Sequence, residues 1–163
     1  MSASHNAPIV DLKKLISLSD SKIAVITTEW NFEITNALHA ACIQLLKKKK
    51  IKDKNLFQYS VPGSFELPAA AKMVIENRKV DAVICLGCVI KGQTSHFEFI
   101  STAVTNGIMD LNLRYNVPVI LGVITPHNLE QAKDRAGGKV GNKGTEAAIA
   151  AIKMIELKNK IIR

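Results

Sequence analysis

The chain has 163 residues, of which 47% are hydrophobic and 22% are charged. This length suffices for one domain with its own core, and the composition is that of a globular protein rather than a disordered one. No hydrophobic run reaches the ~18–20 residues of a transmembrane helix, and the N-terminus lacks the basic start and apolar block of a secretory signal. We therefore expect no membrane partner.

The net charge is +8, and much of it lies in two stretches, residues 47–54 and 156–163. Lysines in such stretches are typical of solvated helix ends, where they complement the helix dipole. A patch that binds RNA or a membrane surface is disfavoured, because aromatic residues are only 5% of the chain and none lies among these lysines. We expect no nucleic-acid partner, although a basic chain can attract a small anionic substrate. Three cysteines, an odd number, argue against disulfides and for a cytoplasmic location.

Short apolar, β-branched runs alternate along the chain with segments of helical periodicity. They predict strands over residues 22–28, 55–62, 80–87 and 118–125. The first predicted helix follows the first strand and has Ile34, Leu38, Ala41 and Leu45 on one face. Further helices are predicted over residues 65–77, 96–115 and 129–135, and from about residue 142. The alternation predicts an α/β protein, a three-layer αβα sandwich around a central four-stranded parallel sheet.

The third and fourth runs are apolar on both faces, which is typical of a parallel sheet covered on both sides. In the helix over residues 96–115, the side chains expected to face inward are Phe97, Ile100, Val104, Ile108 and Leu111. The sequence contains no internal repeat and no long linker, so it predicts a single domain over residues 21–163. Residues 1–20 are predicted to form an N-terminal arm.

Ligands of such sheets bind at the carboxyl ends of the strands. The first predicted strand ends in Trp30 and Asn31, and the second in VPGSFE, residues 61–66. The third ends in GCVIKGQTSHFEFI, residues 87–100, and the fourth in residues 122–125. Turn chemistry explains the glycines and the proline, but not an aromatic residue, a carboxylate and a histidine at one edge. We therefore expect the binding site there.

The stretch QTSH, residues 93–96, lies at the predicted start of a helix. Free N–H groups and the positive end of the helix dipole favour an anion such as phosphate at this position. Thr94 or Ser95 could equally be an N-cap with Glu98 in a capping box, and the two interpretations are compatible. Taken alone, a histidine at the position of His96 is more often structural. A helix N-terminus disfavours imidazolium, however, so a neutral ring that accepts and returns a proton is also plausible.

Two further motifs are expected to be misleading. Cys85 and Cys88 match the CxxC spacing of redox and zinc sites, but residues three apart in a strand point to opposite faces, and no second pair completes a zinc site. We predict no metal here. GGKVGNKG, residues 137–144, lacks the spacing of a phosphate-binding P-loop and joins helix to helix. It is predicted to be a flexible break, with Arg135 and Lys143 among the nearby cations.

Three stretches together resemble the lumazine synthase family: VPGSFELP (61–68), GCVIKGQTSHFEFI (87–100) and EQAKDRAGGKVGNKGTEAA (130–148). They occur in the family's order, and the resemblance runs from about residue 22 to the end. It implies the family's flavodoxin-like fold and its reaction, the penultimate step of riboflavin biosynthesis. That reaction condenses 5-amino-6-(D-ribitylamino)uracil with 3,4-dihydroxy-2-butanone 4-phosphate to 6,7-dimethyl-8-ribityllumazine, with release of phosphate and water. The resemblance implies no metal and no organic cofactor.

The resemblance also implies residues that bind the pyrimidine and its ribityl chain. Trp30 would stack on the flat ring, and Glu66 would accept hydrogen bonds from ribityl hydroxyls. The full implied set is Trp30, Asn31, Ser64, Phe65, Glu66, Val89, Ile90, Lys91, Leu121 and Lys143. Leu121 departs from the family's pattern, because phenylalanine is common at that position.

The phosphate of the second substrate would bind at Gln93 and Thr94. Arg135, which matches an arginine that the family supplies from the neighbouring subunit, would add bidentate contacts. Lys143 would reach across the same interface. His96 would be the catalytic residue that moves protons.

Members of the family assemble as pentamers with sites between subunits, and some pentamers pack into icosahedral shells. Such a shell, and an association with riboflavin synthase, are left open. So are three other interpretations: a flavodoxin-like module that binds a ready-made flavin, an archaeal-type riboflavin synthase, and a structural shell protein without activity. The stretch SFE, residues 64–66, and the QTSH loop favour lumazine synthase over the first two. His96 and Arg135 disfavour the third.

Overall fold

The computed structural model describes residues 18–162. Most of the predicted N-terminal arm, residues 1–17, lies outside the described residues. The last part of that arm is described, and in it Leu18 is buried against the hydrophobic core. None of the helices among residues 18–162 is both long and apolar enough to cross a membrane.

The predicted strands and helices are all present, with ends that shift by one or two residues. In chain order they are β1 (Ile23–Thr28), α1 (Phe32–Lys48), β2 (Leu56–Val61), α2 (Leu67–Asn77), β3 (Ala82–Cys88), α3 (His96–Arg114), β4 (Val119–Ile124), α4 (Leu129–Arg135), β5 (Ala136–Gly138), β6 (Gly141–Asn142) and α5 (Lys143–Ile162). Single turns of 3-10 helix precede β2 and α2, at Asp53–Asn55 and Ser64–Glu66.

The first four strands form one parallel sheet in the order β2-β1-β3-β4. Two buried clusters cover its faces. One cluster joins the sheet to α1 and α5, and the other joins it to α2 and α3. The predicted three-layer αβα sandwich is therefore confirmed, and parallel strands place all four carboxyl ends at one edge of the sheet.

The two apolar runs in the second half of the chain differ in burial. Every residue of β3 is buried, as predicted. In β4, Val119, Gly122 and Ile124 are buried, whereas Leu121 is 37% exposed and Ile120 and Val123 are only half-buried. The reason is position: among the strands of residues 18–162, β4 lies at the edge of the sheet and pairs only with β3.

Helix α3 packs on the sheet through the middle of its predicted face. Val104, Ile108 and Leu111 are buried, and Ile100 packs half-buried against them. Phe97 was predicted to face the core, but it does not. Its half-buried ring lies edge-on to that of His127, with centroids 6.4 Å apart. Phe97 therefore packs against the loop after β4 and not against the sheet.

The CxxC cysteines lie on opposite sides of the sheet, as predicted. Cys85 belongs to the cluster under α2 and α3, and Cys88 to the cluster under α1 and α5. Burial raises the pKa of each thiol, and that of Cys42, to about 12, which suppresses the reactive thiolate at neutral pH. Nowhere in residues 18–162 do three or more metal-binding side chains cluster.

The glycine-rich stretch at residues 137–144 is ordered secondary structure and not the predicted flexible break. Strands β5 and β6 form a short antiparallel hairpin. Gly137 and Gly141 have φ angles of 117° and 84°, in a region that residues with a side chain rarely adopt. Glycine at these two positions thus permits the tight reversal that leads directly into α5.

Candidate functional site

A cavity of about 560 Å³ opens at the carboxyl edge of the sheet. The ends of β1 and β3, the turn after β2 and the start of α3 surround it. Its lining consists of Trp30, Asn31, Gly63, Ser64, Phe65, Glu66, Cys88, Val89, Ile90, His96 and Ile100. The volume is in the range of small-molecule binding sites.

Two aromatic side chains stand at the mouth of the cavity. Trp30 is 73% exposed and Phe65 is 59% exposed. Gly63 lies next to the indole, because a Cβ placed on it would come within 3.8 Å of Trp30 Cδ1. Such exposed aromatic faces offer a surface on which a flat ring can stack.

The backbone at Asn31 is in the left-handed region, with φ 57° and ψ 45°. Asn31 occupies the N-cap position of α1, yet its side chain makes no capping bond. Instead its Nδ2 donates to the carbonyl oxygen of Cys88 at 2.9 Å. This bond joins the end of β1 to the end of β3 across the floor of the cavity.

Glu66 organises the turn between β2 and α2. Its Oε2 accepts a hydrogen bond from the N–H of Gly63 at 2.9 Å. The other carboxylate oxygen, Oε1, has no hydrogen-bond partner among residues 18–162. Glu66 can therefore hold the turn with one oxygen while the second accepts a hydroxyl group of a ligand.

His96 is exposed, lines the cavity and is the first residue of α3. Ser95 stands at the N-cap position, but no side-chain capping bond to it or from it is present in the described chain. Thr94 Oγ1 accepts from the N–H of His96 only at the long distance of 3.4 Å. The first N–H groups of α3 are therefore left largely to solvent or to an anion.

The capping box proposed for Glu98 is not formed at Thr94 or Ser95. Glu98 pairs instead with Lys91 Nζ at 3.1 Å. A hydrogen bond from its own backbone N–H, and then the bond from Lys91, lower the pKa of the Glu98 carboxyl group. The sequence suggested a capping box with Glu98, an anion site, or both at the start of α3. The side chains do not form the capping box, and they leave room for an anion.

Six predicted site residues do not line the cavity of their own chain. Gln93, Thr94 and Lys91 are exposed in the loop that leads to His96. The other three lie elsewhere: Leu121 on edge strand β4, Arg135 at the end of α4 and Lys143 at the start of α5. One chain thus brings together seven of the ten predicted pyrimidine- and ribityl-binding residues with His96, but not the cations or Leu121.

The two cations share one carboxylate. Arg135 donates from Nη1 and Nη2 to the two oxygens of Glu146, at 2.8 and 2.9 Å, and Lys143 Nζ lies 3.3 Å from Glu146 Oε2. The hydrogen bond from Arg135 is the main cause that lowers the pKa of Glu146. Sequence reasoning missed Glu146, although a carboxylate three residues after Lys143 in the first turn of a helix was an available signal.

Comparison with known proteins places most of the chain in one group. The family model described as 6,7-dimethyl-8-ribityllumazine synthase matches residues 20–159. A protein of that name from Phocaeicola vulgatus is 44% identical over 159 residues, which cover 98% of this chain and 95% of that protein. Namesakes from Cytophaga hutchinsonii and Bacteroides fragilis are 51% and 50% identical, over 85% and 83% of this chain and 87% and 94% of their own. The matched residues include the whole cavity and the β5–β6 hairpin.

Proposed function

The chain belongs to the 6,7-dimethyl-8-ribityllumazine synthase family, and from this premise we propose how its residues perform the family's reaction. The enzyme is a transferase that condenses 5-amino-6-(D-ribitylamino)uracil with 3,4-dihydroxy-2-butanone 4-phosphate in riboflavin biosynthesis. Our assignment of residues rests on one observation, the position of Trp30 and His96 at the same cavity. An exposed indole and the imidazole at the start of α3 line the same space.

We assign the pyrimidine to the face of Trp30, with Phe65 beside it. Backbone groups of Ser64, Val89 and Ile90 then read the polar edge of the ring, a task that suits rigid strand ends. Oε1 of Glu66 has no hydrogen-bond partner in the part of the chain that the structure describes, which supports its role as acceptor for the ribityl hydroxyls. Lys91 and Asn31 border the same substrate.

We assign the phosphate to Gln93, Thr94 and the first N–H groups of α3. The absence of a side-chain capping bond at Ser95 among the described residues supports this assignment. Arg135, Lys143 and Leu121 then serve the cavity of a neighbouring subunit. Their location outside their own chain's cavity supports that arrangement.

The reaction begins when the free amine of the pyrimidine attacks the ketone carbon and water leaves to form an imine. Phosphate is then eliminated, the resulting enol tautomerises, and the ribityl-bearing nitrogen closes the ring with loss of water. His96 accepts and returns protons in these steps, a role that typically contributes ~10²–10⁴-fold. Much of the remaining acceleration comes from holding the two substrates side by side.

We further propose a pentamer as the working assembly, with one site at each subunit interface. An icosahedral shell of pentamers and an association with riboflavin synthase are extensions of the same proposal. The half-exposed edge strand β4, with Leu121 on its surface, supports burial of this edge in an assembly. Three buried, unpaired cysteines support a cytoplasmic location.

The test is to mix the purified protein with both substrates and follow the fluorescence of the lumazine product. Product formation without added metal or cofactor is the expected result. A protein that only binds a finished flavin produces none, and a riboflavin synthase consumes the lumazine instead. Size-exclusion chromatography with light scattering measures the assembly in the same preparation.

A further inference from the structure

Arg135 is held at two points within its own chain. Its Nη1 donates to the carbonyl oxygen of Val140 at 2.8 Å and to Glu146 Oε1 at 2.8 Å, and its Nη2 donates to Glu146 Oε2 at 2.9 Å. Val140 lies in the hairpin turn between β5 and β6, whereas Glu146 lies in the first turn of α5. Because the two acceptor residues, Val140 and Glu146, belong to separate elements, their bonds fix the plane of the guanidinium as well as its position.

The bonds to Val140 and Glu146 leave one edge of the guanidinium open. Arginine carries five N–H donors in one rigid plane. The Nη1 group uses both of its hydrogens and Nη2 uses one. The two that remain, on Nε and Nη2, point the same way along a single edge and have no acceptor within residues 18–162. That edge has the geometry for two oxygens of one phosphate.

The cluster of Arg135, Glu146 and Lys143 is partly shielded from water. The side chain of Arg135 is 23% exposed, and those of Glu146 and Lys143 are 35% and 30% exposed. Lys143 contacts the same Oε2 that Arg135 Nη2 binds. Two cations therefore converge on a single carboxylate, which leaves the cluster with a net positive charge.

We propose that Glu146 is a positioning residue for the phosphate-bearing substrate, because it holds Arg135 with its Nε–Nη2 edge turned outward to the anion. The inference rests on the proposed function, in which Arg135 binds that phosphate in the neighbouring subunit's site. Glu146 itself contacts neither substrate in this arrangement. It acts through the orientation of Arg135.

A simple charge argument predicts the opposite effect for Glu146, and this makes the proposal testable. If Glu146 were only a negative charge near the phosphate, its neutralisation would strengthen anion binding. If Glu146 orients the guanidinium, its neutralisation lets Arg135 turn away, and anion binding weakens. The sign of the change separates the two roles.

The experiment measures inhibition by inorganic phosphate and the KM for each substrate in the assembled enzyme. For Glu146→Gln we expect the inhibition constant of phosphate and the KM of the phosphate ester to rise by about 10-fold, the scale of one charge-assisted hydrogen bond. The KM of the pyrimidine stays unchanged. Glu146→Asp keeps the charge but shortens the reach, so it should weaken phosphate binding in the same direction.

The matched control is Glu156→Gln. Glu156 lies on the same helix and pairs with Lys160 at 2.9 Å, well away from the hairpin, so phosphate inhibition should match that of the wild type. Tighter or unchanged phosphate inhibition in Glu146→Gln overturns the positioning role, and so does wild-type behaviour of Glu146→Asp. If Glu146→Gln does not assemble, Glu146→Asp decides alone.

Arg135→Ala tests the underlying assignment separately. It should weaken phosphate inhibition at least as much as Glu146→Gln does. If Arg135→Ala leaves phosphate inhibition unchanged, the proposed phosphate site fails. If only the Glu146 variants behave like the wild type, the phosphate site stands and the positioning role falls.

Discussion

The side-chain amide of Asn31 donates a hydrogen bond to the carbonyl oxygen of Cys88, 2.9 Å away, and so connects the ends of β1 and β3 beneath the cavity. Asn31 makes this bond from a left-handed backbone, with φ 57°, a region that asparagine enters more readily than most residues. The neighbouring Trp30 is 73% exposed. The Asn31 bond therefore restrains the backbone that carries the indole, although few side-chain contacts hold the indole itself.

We expect Asn31→Ala and Asn31→Gly to have different effects, because alanine loses both the bond and the backbone preference, while glycine loses only the bond. Asn31→Ala should lower the free energy of unfolding by about 1–2 kcal/mol more than Asn31→Gly does. Both variants should bind the lumazine product more weakly, by about fivefold for the lost hydrogen bond. Product titration and urea unfolding measure the two effects.

Trp30 is the only tryptophan of the chain, so its fluorescence anisotropy reports on the indole directly. Both Asn31 variants should lower the anisotropy of the unliganded enzyme at unchanged assembly size. A wild-type anisotropy together with wild-type product affinity would contradict the restraining role of Asn31.

His96→Ala should slow turnover by ~10²–10⁴-fold without abolishing it, because the proton transfer that we propose for His96 is lost while the two substrates are still held together. His127→Ala is the matched control, since His127 is also exposed but does not line the cavity. Steady-state kcat at saturating concentrations of both substrates is the measurement. A His96→Ala enzyme at full rate removes His96 from the mechanism.

Much of the fold could be predicted because it depends on local periodicity. The run of β3 is apolar on both faces and is buried on both, and Cys85 and Cys88 lie on opposite sides of the sheet because side chains alternate along a strand. The meeting of Trp30 and His96 at one cavity follows from parallel strands, whose carboxyl ends share an edge.

The features that could not be predicted depend on contacts distant in sequence or on the edge of the sheet. Apolarity alone does not distinguish an edge strand from a central one, so the sequence did not indicate that Ile120 and Val123 are only half-buried. Glycines mark a break in a helical pattern, but only their positive φ angles reveal the hairpin at residues 136–142. The pair of Arg135 and Glu146 joins two elements across that hairpin, and no periodicity in the sequence reports it.

The pair of Arg135 and Glu146 should make stability depend on pH in acid. The pKa of Glu146 in the folded chain is lowered below its ordinary value of 4.5. Its contribution to stability is therefore fully present above the unfolded pKa and is lost as the pH falls through the folded pKa. The difference in free energy of unfolding between wild type and Glu146→Gln should be constant near neutral pH and shrink below about pH 4.5.

Urea unfolding at a series of pH values in phosphate-free buffer measures this difference. The matched comparison is the same substitution in an Arg135→Ala background, where the main cause of the lowered pKa is gone and the pH dependence should be weaker. If the difference in free energy of unfolding between wild type and Glu146→Gln grows as the pH falls, the ion pair does not stabilise the fold in the way we predict.

Gly144 should tolerate no side chain, because it is the point where α5 meets the backbone of α1. A Cβ at this position would overlap the carbonyl oxygen of Leu38 and come within 3.0 Å of Asn142 Oδ1, which accepts the Gly144 N–H. A backbone carbonyl cannot rotate aside as a flexible side chain can, so the two helices must separate.

For Gly144→Ala we expect a loss of about 1–3 kcal/mol or more in the free energy of unfolding. Gly92→Ala is the control, since a Cβ there meets no atom of the described residues within 4 Å, and its free energy of unfolding should stay within about 0.5 kcal/mol of the wild-type value. Equal stability of the two variants in thermal and urea unfolding would contradict the close approach of α1 and α5.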